Sequence, residues 1–110
     1  MKVEHKGKQS IIKDTQGDCD LFLEKLSHEL HAFSAQNLII DLTHNDKVTN
    51  ATIKQFVTVS KQHKKNKLSF VLVAKDIDFT SVPAALTVVP SILEAHDIIE
   101  MEEIERDLGF

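Results

Sequence analysis

Two almost uninterrupted apolar runs constrain the fold of this chain more than any other feature. Leu38–Leu42 and Leu68–Ala74 are both short, and both are bounded by polar segments. Such runs are typical of strands that are covered on both faces of a largely parallel sheet. The segment between them has helical spacing, and parallel strands need such a crossover. The sequence therefore predicts an α/β domain.

The segments around these runs add elements in one consistent order. Alternation of polar and apolar residues on both sides of Lys6-Gly7 predicts an N-terminal β-hairpin. Apolar residues at helical spacing predict a first amphipathic helix from Asp18 to about Ala35. Between the two runs, Thr49 is expected to cap a second helix that continues through Ser60. Strands and helices therefore alternate along the chain.

The rest of the chain adds one strand and one helix. The basic run Lys61–Lys67 is expected to end the second helix, where cations complement the helix dipole. Thr87–Val89 is predicted to be a short edge strand before a proline. Ser91 and Glu94 match a capping box, so a last helix is predicted to begin there and to run towards Arg106. The expected architecture is a mostly parallel mixed sheet with an N-terminal hairpin and with helices packed on it.

Length and composition describe one ordinary globular domain. Of the 110 residues, 42% are hydrophobic and 27% are charged, so a single domain spanning residues 1–110 is expected to bury its own core. The amino end lacks the apolar segment of a signal peptide, and no apolar run approaches the roughly 18 residues of a membrane span. The single Cys19 agrees with a reducing compartment. A cytoplasmic protein without a membrane partner is therefore expected.

The formal net charge of −4 is unevenly distributed. Residues 1–90 contain 12 basic and 10 acidic residues, whereas residues 91–110 contain Arg106 and seven acidic residues. This distribution argues against nucleic-acid binding, because affinity for phosphates depends on clustered Lys and Arg. Acidic residues at a helix C-terminus are unfavourable by roughly 0.3–1 kcal/mol each. Three explanations stay open: compensation by the basic run, a frayed terminus, or a partner that covers Ile98, Met101, Ile104 and Leu108.

Three passages resemble the STAS domain, the fold of anti-sigma-factor antagonists and of the cytoplasmic part of sulfate transporters. They are Leu38–Thr43 with the loop and helix after it, Phe70–Val73, and Val88–Ala95 at the start of the last helix. In that family, an Asp-Ser-Ser-Gly motif at the start of the helix after the Asp-Leu strand contains a serine phosphorylation switch. The resemblance therefore implies a regulatory domain of bacterial-type signalling that binds a protein partner, such as a kinase-like anti-sigma factor.

The switch position of this motif lacks a hydroxyl in the present chain. An ungapped match from Asp41 places Thr49-Asn50-Ala51-Thr52 on the motif, with Ala51 where the phosphoacceptor serine is expected. Thr49 and Thr52 are the alternative phosphoacceptors. Because this serine is missing, we expect a constitutive, non-catalytic adaptor or accessory subunit without a cofactor, whose partner is a kinase-like anti-sigma factor or an enzyme subunit. The predicted partner-binding residues are Asp46, Val48, Thr49, Asn50, Ala51, Thr52, Asp76 and Asp78.

A second interpretation uses four aspartates near the ends of the two central strands. Asp41, Asp46, Asp76 and Asp78 are expected at one edge of the sheet. Clustered carboxylates can hold Mg²⁺, and the set resembles the acidic pocket of a phosphoacceptor receiver domain. The N-terminal hairpin opposes this interpretation, and solvated carboxylates that cap turns explain the same residues.

Two metal-dependent activities have weaker support in the sequence. Glu24, His28 and His31 share a helix face and could bind zinc, although exposed polar residues explain the same spacing. Short chains with a similar C-terminus are sometimes named ribonuclease Z, whose metal site needs a His-x-His-x-Asp-His motif. None of the 6 histidines stands in such a motif, so nuclease activity is not expected. An accessory role beside such an RNA-processing enzyme is a further alternative.

Overall fold

The strands form one mixed sheet in which spatial order follows chain order. In the computed structural model, which describes residues 1–109, the strands are β1 (Lys2–Lys6), β2 (Gln9–Lys13), β3 (Asn37–Asp41), β4 (Phe70–Val73) and β5 (Thr87–Val89). β1 and β2 pair antiparallel, whereas β2, β3, β4 and β5 pair in parallel. The predicted α/β fold, with its mostly parallel sheet and N-terminal hairpin, is confirmed.

The helices follow the parallel strands. They are α1 (Cys19–Glu29), α2 (Asn50–Lys54), α3 (Val57–Lys64) and α4 (Ile92–Asp107), with 3₁₀ turns at Leu30–Phe33 and Phe79–Ser81. Asp18 caps α1 by accepting a hydrogen bond from the N–H of Leu21 at 3.1 Å. Ser91 caps α4 by accepting from the N–H of Glu94 at 3.2 Å. Both helices therefore begin where the sequence predicts.

The sheet has an apolar core on each face. One face packs against α1, α2 and α3 through side chains that include Ile12, Leu38, Ile40, Phe70 and Leu72. The other face packs beneath α4 through Ile11, Ile39, Val71, Val73 and Val89. All five positions of β3 are buried, because successive residues enter opposite cores. This double burial explains why the central runs lack polar alternation.

The second helix is interrupted, which corrects the sequence-based expectation. The pattern predicts one continuous helix after Thr49, but the chain leaves the α-helix at Gln55 and Phe56. The N–H groups of these two residues bond to the carbonyls of Thr52 and Ile53 at 3.2 and 3.1 Å. Such i to i−3 bonds tighten the chain. The tighter turn buries Ile53 and Phe56 completely, so side-chain packing overrides the regular helical repeat.

His63 is a second correction. The sequence places it in a basic run, but it is fully buried on α3 and lies against Phe70, with ring centroids 6.1 Å apart. Its Nε2–H donates to the carbonyl of Gln36 at 2.7 Å, whereas its Nδ1 has no partner in residues 1–109. Burial lowers the pKa of His63 below its ordinary value of 6.5. The ring is therefore neutral at physiological pH.

Candidate functional site

Two loops at the carboxyl ends of β3 and β4 form the candidate site. We call the segments Asp46–Thr52 and Asp76–Phe79 together the loop surface. Its exposed predicted residues are Asp46, Thr49, Ala51, Asp76 and Asp78. Val48, Asn50 and Thr52 are partly buried. The structure thus places all eight predicted partner-binding residues at one edge of the sheet, as expected for loops that follow neighbouring parallel strands.

Asn50 joins the two loops. Its Nδ2–H donates to the carbonyl of Asp78 at 2.7 Å, and its Oδ1 accepts from the N–H of Asp78 at 2.9 Å. The amide group therefore satisfies both backbone groups of one residue, much as a neighbouring strand would. Phe79, which is 40% exposed, follows directly in the chain. We call this pair of hydrogen bonds the Asn50 clamp, and it holds the two segments together as one surface.

Thr49 and Thr52 cap α2 reciprocally. The Thr49 hydroxyl oxygen accepts from the N–H of Thr52, and the Thr52 hydroxyl oxygen accepts from the N–H of Thr49, both at 3.3 Å. The two hydroxyl oxygens also lie 3.2 Å apart. This is the geometry of a capping box. Both alternative phosphoacceptors therefore use their hydroxyls to satisfy the start of the helix.

Two of the four aspartates are bonded within their own loops. Asp41 is buried, and its Oδ1 accepts from the N–H and the hydroxyl of Thr43 at 2.9 and 2.6 Å. Asp78 accepts from the hydroxyls of Thr80 and Ser81 at 2.6 and 2.8 Å. The bond from the Thr80 hydroxyl, followed by that from Ser81, lowers the pKa of Asp78 below its ordinary value. These two carboxylates thus act as turn caps.

The other two aspartates line a small cavity. Asp46 and Asp76 border a space of about 130 Å³ together with Thr43 and Lys75. Of the three residues considered for zinc, Glu24 and His28 lie exposed on α1, whereas His31 lies exposed in the 3₁₀ turn that follows it. Within residues 1–109, no group of three or more His, Cys, Asp and Glu side chains is arranged to hold a metal ion. The structure therefore brings only part of the aspartate set together.

Sequence reasoning missed a polar cluster behind the loop surface. Asn45 is buried, and its Nδ2–H groups lie 3.2 Å from Asp14 Oδ2 and 2.9 Å from Cys19 Sγ. Its Oδ1 accepts from the N–H of Lys47 at 2.9 Å. Burial, followed by Asp14 and Asp20, raises the pKa of the Cys19 thiol. The cluster ties the loop after β3 to the start of α1. The sequence feature that could have indicated this cluster is Asp14, which directly follows β2.

A second polar cluster anchors the C-terminal half of α4. Asn37 Nδ2–H donates to Glu103 at 2.6 Å, and the Ser69 hydroxyl donates to Glu102 at 2.5 Å. Asn37 Oδ1 also accepts from the N–H of Ser69 at 2.8 Å, while Arg106 lies 3.2 Å from Ser69 Oγ. Both residues are buried: Asn37 is the first residue of β3, and Ser69 directly precedes β4. The C-terminal half of α4 is therefore helical and hydrogen-bonded to the sheet edge at Asn37 and Ser69.

None of the described helices combines the length and the apolar character that crossing a membrane requires. A scan of the chain against models of known protein families finds no match, and a search of curated proteins finds no match either. A functional assignment therefore rests on the chain's own residues and their geometry.

Proposed function

We propose that this protein is a small non-catalytic regulatory or adaptor domain that binds a protein partner through the loop surface. The Asn50 clamp is the observation that carries the proposal, because it joins the segments after β3 and β4. A surface ordered before binding loses less conformational freedom when a partner docks. The resemblance to STAS domains favours a regulatory partner, such as a kinase-like anti-sigma factor or an enzyme subunit.

The chemistry of the loop surface suits recognition. Ala51 and Phe79 offer exposed apolar contact, while Asp46 and Asp76 supply negative charge beside them. The two segments contain no Ser, Cys or His, so the commonest nucleophiles are absent from them. A partner would be recognised by shape, by apolar contact and by this negative charge. A cytoplasmic location, which the sequence leads us to expect, fits such a role.

The proposed adaptor binds without a phosphorylation switch. Ala51 lies exposed in the first turn of α2, at the position where the family resemblance predicts the phosphoserine. Thr49 and Thr52, the nearest hydroxyls, are engaged in the cap of the same helix. Partner binding is therefore proposed to be constitutive.

Ala51→Glu tests the loop surface. An acidic residue in the first turn of a helix is compatible with the helix dipole, so the variant should stay folded. Its added bulk in the middle of the loop surface should abolish recovery of the partner in a pull-down from lysate of the native cells. Ala32→Glu makes the same substitution at an exposed position after α1 and should leave recovery unchanged. Equal recovery by wild type and both variants would remove the loop surface as the contact site.

The alternative function is a Mg²⁺-dependent phosphoacceptor or catalytic domain that uses Asp41, Asp46, Asp76 and Asp78. The cavity that Asp46 and Asp76 line with Lys75 is the observation in its favour. Titration with Mg²⁺, followed by amide NMR shifts, should leave these residues undisturbed if the adaptor proposal is correct. Saturable shifts at Asp46 and Asp76 would support the Mg²⁺-dependent function in place of the adaptor function. An accessory role beside an RNA-processing enzyme such as ribonuclease Z is one form of the adaptor, and the pull-down would identify it.

A further inference from the structure

The outer face of α4 carries a strip of exposed apolar side chains. Its members are Leu93, Met101, Ile104 and Leu108, which are 73%, 61%, 58% and 66% exposed. We call these four residues the α4 strip. At about 100° per residue they occupy one sector of roughly 80°, opposite the buried Ala95 and Ile99. Exposed apolar side chains that gather on one helix face are typical of an interaction site.

Carboxylates border the α4 strip on both sides. Helix geometry places Glu100 and Asp107 along one side, Glu94 and Glu105 along the other, and Asp97 within the strip, and all five are exposed. The two basic side chains of α4 lie elsewhere: Arg106 contacts Ser69, and His96 contacts Gln9. The outer face of α4 therefore carries apolar side chains flanked by carboxylates, with Asp97 between Leu93 and Met101.

We infer that the α4 strip is a docking site for a basic amphipathic helix of a partner protein. The site is distinct from the loop surface, because α4 covers one face of the sheet and α2 packs on the other. Apolar residues of the partner helix would cover the strip, and its Lys and Arg residues would meet the acidic borders. From Leu93 to Leu108 the strip spans about 22 Å, which a partner helix of about four turns covers.

Charge distinguishes this partner from other occupants. Docking of two copies through the same strip would bring two sets of five carboxylates together, and such like-charge contact is unfavourable. Anionic lipid headgroups would be repelled for the same reason. The carboxylates of the last turns also oppose the dipole of α4 itself. Lys and Arg residues of a partner helix would instead be attracted to these carboxylates and would offset their conflict with the helix dipole.

A synthetic peptide tests the inference on the full-length chain. The probe is a fluorescein-labelled peptide of about 18 residues with Leu at helical spacing and Lys at the remaining positions. Its fluorescence anisotropy should show saturable binding to the wild-type protein. Two double variants, Met101→Gln/Ile104→Gln and Glu100→Lys/Glu105→Lys, should each weaken binding at least about tenfold. All four positions are exposed, so the variants should remain folded.

Matched variants on α1 control for general effects. Leu21→Gln replaces a 39% exposed apolar residue, and Glu24→Lys/Glu29→Lys changes the net charge as much as the α4 charge variant does. Both should bind the peptide like wild type. Equal binding by all variants, or no saturable binding by wild type, would overturn the inference. Ala51→Glu should leave peptide binding unchanged, so this proposal and the proposed function fail separately.

Two further outcomes would assign the strip to another occupant. Analytical ultracentrifugation should give the same oligomeric state for the wild type and for the Met101→Gln/Ile104→Gln variant. Vesicles of zwitterionic lipid should likewise show no binding that depends on these two residues. A positive result in the first experiment would make the strip a contact between copies of this chain, and in the second a membrane contact. Either result overturns the inference.

Discussion

His63→Gln is expected to flatten the dependence of stability on pH. Burial lowers the pKa of His63 in the folded protein, whereas the ring in the unfolded chain titrates near the ordinary value of 6.5. Below that pH the unfolded chain takes up a proton that the folded protein resists, so stability falls as the pH falls. The stability is fully present above the unfolded-state pKa, and it is lost as the pH falls towards the folded-state pKa.

The size of the effect follows from one proton. Uptake of one proton changes the free energy of unfolding by at most about 1.4 kcal/mol per pH unit. Because the ring in the unfolded chain is half protonated only at its pKa of 6.5, the loss between about pH 7.5 and about pH 5.5 is up to about 1.4 kcal/mol, or about 6 °C in Tm for a domain of this size. Gln does not titrate, and it retains an N–H for the carbonyl of Gln36.

Urea unfolding followed by far-UV circular dichroism measures the effect, since the chain has no Trp or Tyr for fluorescence. Wild type and the control His28→Gln, which changes an exposed histidine of α1, should lose stability together as the pH falls. His63→Gln should lose much less over the same range. Parallel curves for wild type and His63→Gln would refute the reasoning, because the acid sensitivity would then arise at other groups.

Three further predictions concern the polar clusters. Asn37→Ala should lower the free energy of unfolding by about 2–4 kcal/mol, because it leaves the buried N–H of Ser69 and the carboxylate of Glu103 without partners. Urea unfolding measures this loss, and a change below about 0.5 kcal/mol would contradict it. Asn50→Ala should accelerate amide hydrogen exchange at Asp78, measured by NMR, with little change in global stability; unchanged exchange would speak against the Asn50 clamp. Cys19 should react with an aromatic disulfide reagent more slowly than free cysteine at mildly alkaline pH, because burial and then Asp14 raise the pKa of its thiol. A faster reaction would show that the thiol is activated.

The fold could be predicted because its signals are local. The continuous apolar run of β3 reports burial on both faces, and only a central strand has that environment. Thr49 and Ser91 mark helix starts through side-chain bonds that span three residues. The alternation of strands and helices then indicates a largely parallel sheet joined by right-handed crossovers. None of these inferences needs a contact between distant parts of the chain.

The site was harder to predict because its geometry depends on distant contacts. Nothing near Asn50 in the sequence indicates that it bonds to Asp78, 28 positions later. His63 shows a different failure. It stands three residues after the buried Ser60, in phase with the buried side of the helix, but the surrounding lysines made a basic surface run the simpler interpretation. Helical phase was the better guide than residue type at this position.

The order of the strands has a consequence for how the chain folds during synthesis. Each new strand can pair with one already made, beginning from the β1–β2 hairpin, so the sheet can grow in step with the emerging chain. The helix α4 is made after all five strands. Its Ala95 and Ile99 cover Ile39 and Val71, which lie on a sheet face that is formed before α4. Until α4 has left the ribosome and docked, that face is bare apolar surface of the kind that aggregates or recruits chaperones. Docking of α4 is therefore the step that covers this apolar face of the sheet.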